Sequence, residues 1–198
     1  MEQFGYEWTE ADRVKSVGGP MSRVVNYMSE LTGAEAADID RVIVTEIEHL
    51  MSTRPLVPQP GARELHSALV AAGFPIGLAS NSWRTLMQLV LDSTALTFNA
   101  TIAGDESKAN KPDPYPYLRL AQLLAVDPAR CVVIEDSPTG IAAGINAGAA
   151  VVAVPEVSRT IEPGAGRLIV DSLEAVSVDA LCELVRAHQL ELMQRVRL

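Results

Sequence analysis

The sequence contains few cysteines, and they follow no metal-binding pattern. Its 198 residues include two, Cys131 and Cys182, which are far apart and lack the short spacing typical of zinc ligands. Disulfides are rare in reducing compartments, so the two residues predict reduced thiols in a cytoplasmic protein. The N-terminus has neither a basic segment nor an apolar run, and therefore does not resemble a secretory signal.

Positive charge and long apolar runs are also scarce. Sixteen Lys and Arg residues stand against 25 Asp and Glu residues, which gives a formal net charge of −9. An acidic chain is repelled by nucleic acid and by anionic membrane surfaces, which disfavours both as partners. The longest weakly polar stretch, residues 141–154, is interrupted by Asn146 and is too short to span a bilayer. The remaining composition, 48% hydrophobic and 21% charged, is typical of a globular protein.

The chain changes pattern at a proline-rich stretch, residues 53–61 (TRPLVPQPG). Prolines cannot continue a helix, and they favour extended geometry in the residue before each. Before the stretch, apolar residues repeat at helical spacing around Val24 and Ile43. After it, short apolar strands alternate with helices, which is the pattern of a parallel sheet built from βαβ units. We therefore predict a helical domain over residues 1–54 and a Rossmann-like α/β domain over residues 55–198.

The α/β part contains five predicted strands and five predicted helices. The predicted strands cover residues 74–79, 100–103, 131–134, 150–154 and 168–170, and the predicted helices cover residues 63–72, 83–91, 115–124, 138–147 and 178–195. Because ligands of parallel sheets bind at the carboxyl ends of strands, the residues that follow the strands are candidate site residues.

Polar residues suited to an anion follow the first two of these strands. Ser80 and Asn81 offer a hydroxyl and an amide beside a helix N-terminus that suits a phosphate, with Ser82 as the expected N-cap. Plain helix capping is the alternative use of such residues. Lys111 lies in the segment KPDP, whose prolines stiffen the loop, and its ammonium can hold a phosphoryl oxygen. A solvated loop lysine is the alternative.

Two adjacent carboxylates, Glu135 and Asp136, end the third strand. Two neighbouring negative charges at the end of an apolar strand are costly to desolvate unless they share a cation. One or two carboxylates with waters and a substrate phosphate match Mg²⁺. An exposed acidic pair in a loop is the alternative. Ser137 as N-cap and Pro138 in the first turn predict that a helix begins directly after them.

The order of these motifs resembles the haloacid dehalogenase (HAD) superfamily of phosphohydrolases. The motifs are Ser-Asn at residues 80–81, KPDP at 111–114 and VVIEDSPTGIAAGINAG at 132–148. The similarity is greatest to the branch with a helical cap, which includes beta-phosphoglucomutase and small-molecule phosphatases. FGYEWTEAD at residues 4–12 resembles the beginning of that cap, and PLVPQPGARELHSAL at 55–69 resembles the return to the core. The resemblance implies a HAD-like Rossmannoid core with a parallel sheet and a small helical cap.

The resemblance gives five positions a role. Ser80 and Asn81 would bind the transferring phosphoryl group, Lys111 would neutralise its oxygens, and Glu135 and Asp136 would hold Mg²⁺ directly or through water. It implies a Mg²⁺-dependent phosphomonoesterase that acts on a small phosphorylated metabolite through an aspartyl-phosphate. A phosphosugar mutase like beta-phosphoglucomutase and a catalytically inactive phosphate-binding fragment are the alternatives.

One motif that the resemblance leads us to expect is missing. Members of the family begin with an apolar strand ending in Asp-x-Asp-Gly, whose first aspartate is the nucleophile. The D-x-D of this chain, residues 38–40, follows no apolar strand and precedes no glycine, so we interpret it as the start of a cap helix. The resemblance implies that the missing strand is central, between the strands that end at Ser80 and Glu135. We therefore expect a truncated sequence whose nucleophile is encoded upstream, and an inactive 198-residue chain.

The cap offers one further candidate. Arg23 follows a Gly-Gly-Pro segment at residues 18–20 and could bind a second anionic group of the substrate. A solvated arginine on a cap helix is an equally good explanation. No motif identifies the substrate, because the shape of the cap loops decides it, and none indicates an oligomeric state.

Overall fold

The structure, a computed structural model, describes residues 4–16, 20–54, 56–154 and 166–195. Its first part is helical, as predicted, with α1 (Glu10–Ser16), α2 (Met21–Thr32) and α3 (Ala36–Thr53). Gly33 ends α2 in the left-handed conformation (φ 71°), which turns the chain into α3. Residues 38–40 lie in the first turns of α3, which confirms that this D-x-D begins a helix. No helix of the described residues is both long and apolar enough to cross a membrane.

The second part alternates strands and helices as the sequence predicts. The elements are α4 (Ala62–Ala71), β1 (Gly77–Ala79), α5 (Arg84–Thr94), β2 (Ala100–Ile102), α6 (Tyr115–Leu123), β3 (Val132–Glu135), α7 (Pro138–Asn146), β4 (Ala150–Ala153), β5 (Arg167–Ile169) and α8 (Val178–Arg195). Short 3₁₀ helices precede β3 and follow β5, at Pro128–Arg130 and Leu173–Ala175. The ends of the elements differ from the predicted ends by three residues at most.

The strands form two separate parallel sheets. β1 pairs with β2, with Leu78 opposite Thr101, and β3, β4 and β5 form the other sheet, with Ile134 opposite Val152. A cavity of about 910 Å³ is lined by β1 on one side and by β3 on the other. The parallel sheet is therefore interrupted between the strands that end near Ser80 and Glu135, where the resemblance implied a missing strand.

The core of the molecule is centred on β4. All four of its residues are at most 1% exposed. On one face Val151 packs with Val133 and with Ile141 of α7, and on the other Val152 packs with Leu65 of α4 and Leu181 of α8. A strand that is covered on both faces must be apolar at every position, which explains the uninterrupted run in its sequence.

Arg54 and Gly61 lie between the last helix of the first part and the first helix of the second. Arg54 caps the end of α3, and Gly61 (φ 80°) turns the chain into α4. A Cβ atom on Gly61 would overlap the backbone of Leu173 and Glu174, so the turn packs directly on the 3₁₀ helix after β5. The division into residues 1–54 and 55–198 stays a prediction, since Pro55 lies outside the described residues.

Candidate active site

The ammonium group of Lys111 lies where the carboxyl ends of β1 and β3 face each other. Its Nζ donates a hydrogen bond of 3.0 Å to the carbonyl oxygen of Ala79 and forms an ion pair with Oε1 of Glu135. The two charged side chains are 9% and 8% exposed, so the pair is buried. A buried charge is stable only when it is paired and hydrogen-bonded, and this contact therefore ties the loop after β2 to the end of β3.

Two hydroxyl groups complete the surroundings of the Glu135 carboxylate. The hydroxyl of Tyr117, in α6, donates to Oε1, and the hydroxyl of Ser137 donates to Oε2 at 3.1 Å. The ammonium of Lys111 also lies 5.0 Å from the centre of the Tyr117 ring, within range of a cation–π contact. Burial, followed by the negative charge of Glu135, raises the pKa of Tyr117, so this hydroxyl remains a donor at neutral pH.

Tyr117 is a site residue that the sequence analysis missed. It lies in the first turn of α6, which begins at Tyr115 directly after the KPDP segment. The only sequence signal is this short distance from Lys111, because a tyrosine in an amphipathic helix is equally typical of a core position. Its contact with Glu135 depends on the packing of α6 across the ends of two strands, and that packing is not a local property of the sequence.

The start of α7 is shaped to hold the Glu135 carboxylate. Ser137 is the N-cap, as predicted, and its hydroxyl accepts a hydrogen bond from the backbone N–H of Gly140 at 3.1 Å. A Cβ atom on Gly140 would overlap the Glu135 carboxyl group. Glycine at this position thus allows the carboxylate to lie against the helix N-terminus, where the helix dipole favours a negative charge.

Asn81 joins the loop after β1 to the loop that carries Lys111. Its Oδ1 accepts from the backbone N–H of Lys111 at 3.1 Å, and its Nδ2 donates to the carbonyl of Lys111 at 3.3 Å. A Cβ atom on Gly104 would overlap the carbonyl of Asn81, so the end of β2 also approaches this turn closely. The amide of Asn81 therefore positions Lys111, and its predicted contact with a phosphate stays a prediction.

Ser80 lies beside these groups at the end of β1. Its N–H continues the ladder to Ile102 at 3.0 Å, and its hydroxyl accepts a hydrogen bond from the N–H of Ser82 at 3.0 Å. The prediction that Ser82 caps the next helix is wrong, because the N-cap of α5 is Trp83. The reason is that Ser82 belongs to a tight turn, in which its carbonyl also accepts from Gly104 at 2.7 Å.

The remaining two predicted site residues are both exposed but lie in different parts of the molecule. Asp136 follows Glu135 directly and extends from the same strand end. Arg23 lies in α2, where its guanidinium donates to the carbonyl of Lys15 at 2.9 Å and so connects α2 to α1. No contact of the described residues joins Arg23 to Lys111 or Glu135, and its proposed contact with substrate stays a prediction.

The two carboxylates at the end of β3 form a donor set that fits Mg²⁺. Among the described residues, no three His, Cys, Asp or Glu side chains cluster around one point. Mg²⁺ does not require such a cluster, because it keeps several waters and is held by one or two carboxylates plus substrate phosphate. Glu135 and Asp136 could therefore hold the ion, directly or through water.

Comparisons with known proteins show which family the chain resembles. A family model described as haloacid dehalogenase-like hydrolase matches residues 7–148. The chain is 32% identical to hexitol phosphatase A of Escherichia coli (strain K12) over 151 residues, 75% of this chain and 69% of that protein. It is 27% identical to protein CbbY of Rhodobacter capsulatus over 190 residues, 89% of this chain and 83% of that protein.

A solved structure extends the similarity to the fold. The beta-phosphoglucomutase of Clostridium difficile superposes with a TM-score of 0.73 at 21% identity, covering 96% of this chain and 87% of that chain. The chain therefore belongs to the haloacid dehalogenase-like hydrolase family. The family and the fold implied by the resemblance are confirmed, and the roles of individual residues stay predictions.

Proposed function

We propose that this protein is a Mg²⁺-dependent phosphomonoesterase that acts on a small phosphorylated metabolite. The observation that carries the proposal is the buried Lys111–Glu135 pair at the facing carboxyl ends of two parallel strands, with Asp136 beside it. Parallel sheets bind ligands at this edge, and an amine next to adjacent carboxylates suits a phosphate accompanied by a metal ion. The similarity to hexitol phosphatase A supports a phosphorylated compound of sugar size as substrate.

Two of the site residues would bind the phosphate, and two would bind the metal. Lys111, held in place by the carbonyl of Ala79, stabilises the negative charge that spreads over the phosphoryl oxygens in the transition state. Ser80, the next residue in the chain, donates its hydroxyl to another of these oxygens. Glu135 and Asp136 would hold Mg²⁺, directly or through water. When bound, the metal would further neutralise the phosphoryl charge.

The nucleophile is assigned to an aspartate outside these 198 residues. Transfer through an aspartyl-phosphate needs a carboxylate that can attack phosphorus. Among the described residues, Glu135 pairs with Lys111 and Asp136 follows Glu135 in the chain, and the proposal uses both for the metal. The 198 residues by themselves would then bind phosphate without turnover, and hydrolysis would require a chain that also carries this aspartate.

The first experiment assays the product of the full reading frame with hexitol phosphates and sugar phosphates in the presence of Mg²⁺. We expect release of inorganic phosphate that stops when the metal is chelated. Lys111→Ala should lower kcat/KM by about 100- to 1,000-fold, because it removes a charge that acts on the transition state. Lys108→Ala, an exposed lysine of the same loop, is the control and should leave the rate unchanged. Undiminished hydrolysis by Lys111→Ala would contradict the assigned role of Lys111.

Product analysis separates hydrolysis from transfer. A phosphosugar mutase would convert one sugar phosphate into its isomer and release little inorganic phosphate, which ³¹P NMR distinguishes directly. The 198-residue chain provides a further test, since we expect it to bind inorganic phosphate without hydrolysing an aryl phosphate. Turnover by this chain that Lys111→Ala abolishes would overturn the assignment of the nucleophile to residues outside it.

A further inference from the structure

Tyr117 contacts both members of the buried Lys111–Glu135 pair. Its hydroxyl donates to Oε1 of Glu135, and the centre of its ring lies 5.0 Å from Nζ of Lys111. The proposed function uses the lysine for phosphate and the glutamate for metal, but gives Tyr117 no task. Because the side chain contacts both charged groups, its hydroxyl and its ring each need an explanation.

Packing alone does not explain why this residue is a tyrosine. Its ring packs against the buried apolar cluster that includes Val133 and Ile141, as a core aromatic would. Phenylalanine would fill the same space without bringing a hydroxyl into a buried region, where an unpaired polar group is costly. In the part of the chain that the structure describes, this hydroxyl bonds to Glu135 alone. The hydroxyl and the carboxylate must therefore be explained together.

The carboxylate of Glu135 is nearly saturated with donors. An ionised carboxylate has about four acceptor positions, two on each oxygen. Oε1 accepts from Lys111 and from Tyr117, and Oε2 accepts from Ser137 at 3.1 Å. About one acceptor position therefore remains, and it is on Oε2. A metal ion or one of its waters would use this position.

The Tyr117 hydroxyl restricts how this carboxylate can turn. Without it, each oxygen of Glu135 would have a free acceptor position, and Lys111 would be the one donor left on Oε1. Hydrogen bonds of this kind fix the orientation of metal-binding carboxylates. Their loss typically lowers metal affinity by about 10- to 100-fold. The hydroxyl can therefore affect a metal ion that it does not contact.

Tyr117 is itself held in place. It lies in the first turn of α6, where the N–H of Tyr115 donates to Oδ1 of Asp113 at 2.8 Å, and its helix neighbours Pro116 and Leu120 are buried. A ring that is fixed by its helix can restrict the carboxylate, whereas an exposed and flexible side chain could not.

The ring of Tyr117 acts on the other charge of the pair. An ammonium has three donors. Lys111 uses one for the carbonyl of Ala79, at 3.0 Å, and one for Glu135, so a third remains for a phosphoryl oxygen. The ring attracts the ammonium and limits the directions that it can take. Phenylalanine at position 117 would keep this contact, so substitution can separate the ring from the hydroxyl.

We propose that Tyr117 is a positioning residue with a separate task for each part of its side chain. The hydroxyl orients the Glu135 carboxylate for the metal ion, and the ring orients the Lys111 ammonium for the phosphate. The inference rests on the proposed function, because it concerns the two ligands that this function requires.

Two variants of the 198-residue chain separate these tasks. EPR of free Mn²⁺, an ion that suits the same oxygen ligands as Mg²⁺, measures metal binding, and ³¹P NMR titration without metal measures the binding of inorganic phosphate. Tyr117→Phe should bind Mn²⁺ at least about tenfold more weakly than the parent, and phosphate within about twofold of it. Tyr117→Leu, which also loses the ring, should bind phosphate at least about threefold more weakly.

A second background shows whether the hydroxyl acts through Glu135. Glu135→Gln removes the charge that the hydroxyl is proposed to orient, and the Mn²⁺ binding that it leaves belongs to other carboxylates. Adding Tyr117→Phe to this variant should change Mn²⁺ binding by less than about twofold, because residues that act as one unit are not additive. A merely structural tyrosine would weaken binding equally in both backgrounds.

Tyr115→Phe, which removes the other tyrosine hydroxyl in the first turn of α6, is the matched control and should leave both affinities within about twofold of the parent's. Circular dichroism and urea midpoints verify that every variant is folded. Three outcomes would overturn the inference alone: unchanged Mn²⁺ binding by Tyr117→Phe, unchanged phosphate binding by Tyr117→Leu, or a further tenfold loss in the Glu135→Gln background. A parent chain that binds neither ion would contradict the proposed function as well.

Discussion

At the scale of single residues, the contact between Lys111 and Glu135 combines charge with burial. Taking two charges out of water is costly, and their attraction offsets the cost only while both partners are present. The exposed pair of Arg41 and Asp38 in α3 is different, since its side chains are 71% and 53% exposed and water screens their attraction. Loss of one charge should therefore destabilise the protein strongly at the buried pair and only weakly at the exposed pair.

Removal of one charge should show this difference. We expect Lys111→Met to destabilise the chain by about 3–5 kcal/mol, because it leaves the Glu135 carboxylate buried without its cation. Urea denaturation measures the change. Arg41→Met, the matched exposed variant, should cost no more than about 1 kcal/mol. The double variant Lys111→Met, Glu135→Gln has no buried charge and should recover most of the loss. A double variant as unstable as the single one would show that lost packing, and not the uncompensated carboxylate, causes the effect.

The sequence analysis proposed candidate site residues that follow the ends of strands, and their roles stay predictions. Lys111, Glu135, Ser80 and Asn81 could be named because parallel strands bring their carboxyl ends to one edge. Tyr117 could not, since its contact depends on how a helix crosses that edge. The sequence also could not show that the side-chain amide of Asn81 holds the backbone of Lys111. This contact forms only because two loops 30 residues apart in the chain meet in the fold.

At the scale of elements, the join between α1 and α2 depends on one buried carboxylate. Asp12 is 4% exposed, and its oxygens accept from the N–H and hydroxyl of Thr9 and from the hydroxyls of Tyr6 and Tyr27. Thr9 precedes α1, and its Oγ1 in turn accepts from the N–H of Asp12 at 3.3 Å, so the two residues cap the helix reciprocally. The Tyr27 bond extends this cap to α2.

This network should make stability depend on pH in the acid range. The hydrogen bonds, first that of the Thr9 hydroxyl, hold the pKa of Asp12 well below its ordinary value of 3.8. Unfolded Asp12 takes up a proton near pH 3.8, before folded Asp12 does. The stability contributed by Asp12 is therefore fully present above this pH, and is lost as the pH falls toward the lower pKa of the folded state.

We expect Asp12→Asn to be less stable than the parent at pH 7, and the difference to shrink as the pH falls below about 4. Urea midpoints at pH 7, 5 and 3 measure it. Asp38→Asn, an exposed acid of α3, is the control and should change stability little at any of these values. A difference between Asp12→Asn and the parent that stays constant down to pH 3 would show that the charge of Asp12 is not the stabilising feature.

At the scale of the whole molecule, the order of the elements follows from the sequence, but the relation of the two sheets does not. Apolar runs of three to six residues between helices indicate where strands lie, and β4 has no polar position, which is typical of a strand covered on both faces. The resemblance to the haloacid dehalogenase superfamily also implied a missing strand between β1 and β3. It did not indicate the size of the cavity, because that depends on how far helices α4, α6 and α8 keep the sheets apart.

The interruption of the sheet should divide the molecule into parts of unequal stability. The N–H of Ser80 bonds to Ile102 at 3.0 Å and the N–H of Val151 bonds to Gly166 at 2.8 Å, so both amides are in strand ladders. Val151 is fully buried in a strand with neighbours on both sides, whereas β1 has one neighbour and no buried residue. Local opening is easiest where few apolar contacts must be broken. The β1–β2 sheet should therefore open without the β3–β4–β5 sheet.

Native-state hydrogen exchange of the 198-residue chain tests this division. We expect the Ser80 amide to exchange on the order of 100-fold faster than the Val151 amide, and the Val151 amide to exchange only through global unfolding. Low concentrations of urea should accelerate Val151 strongly and Ser80 weakly, because global unfolding exposes much more surface than local opening. Equal protection of the two amides, with the same dependence on urea, would mean that the helices alone join both sheets into one cooperative unit.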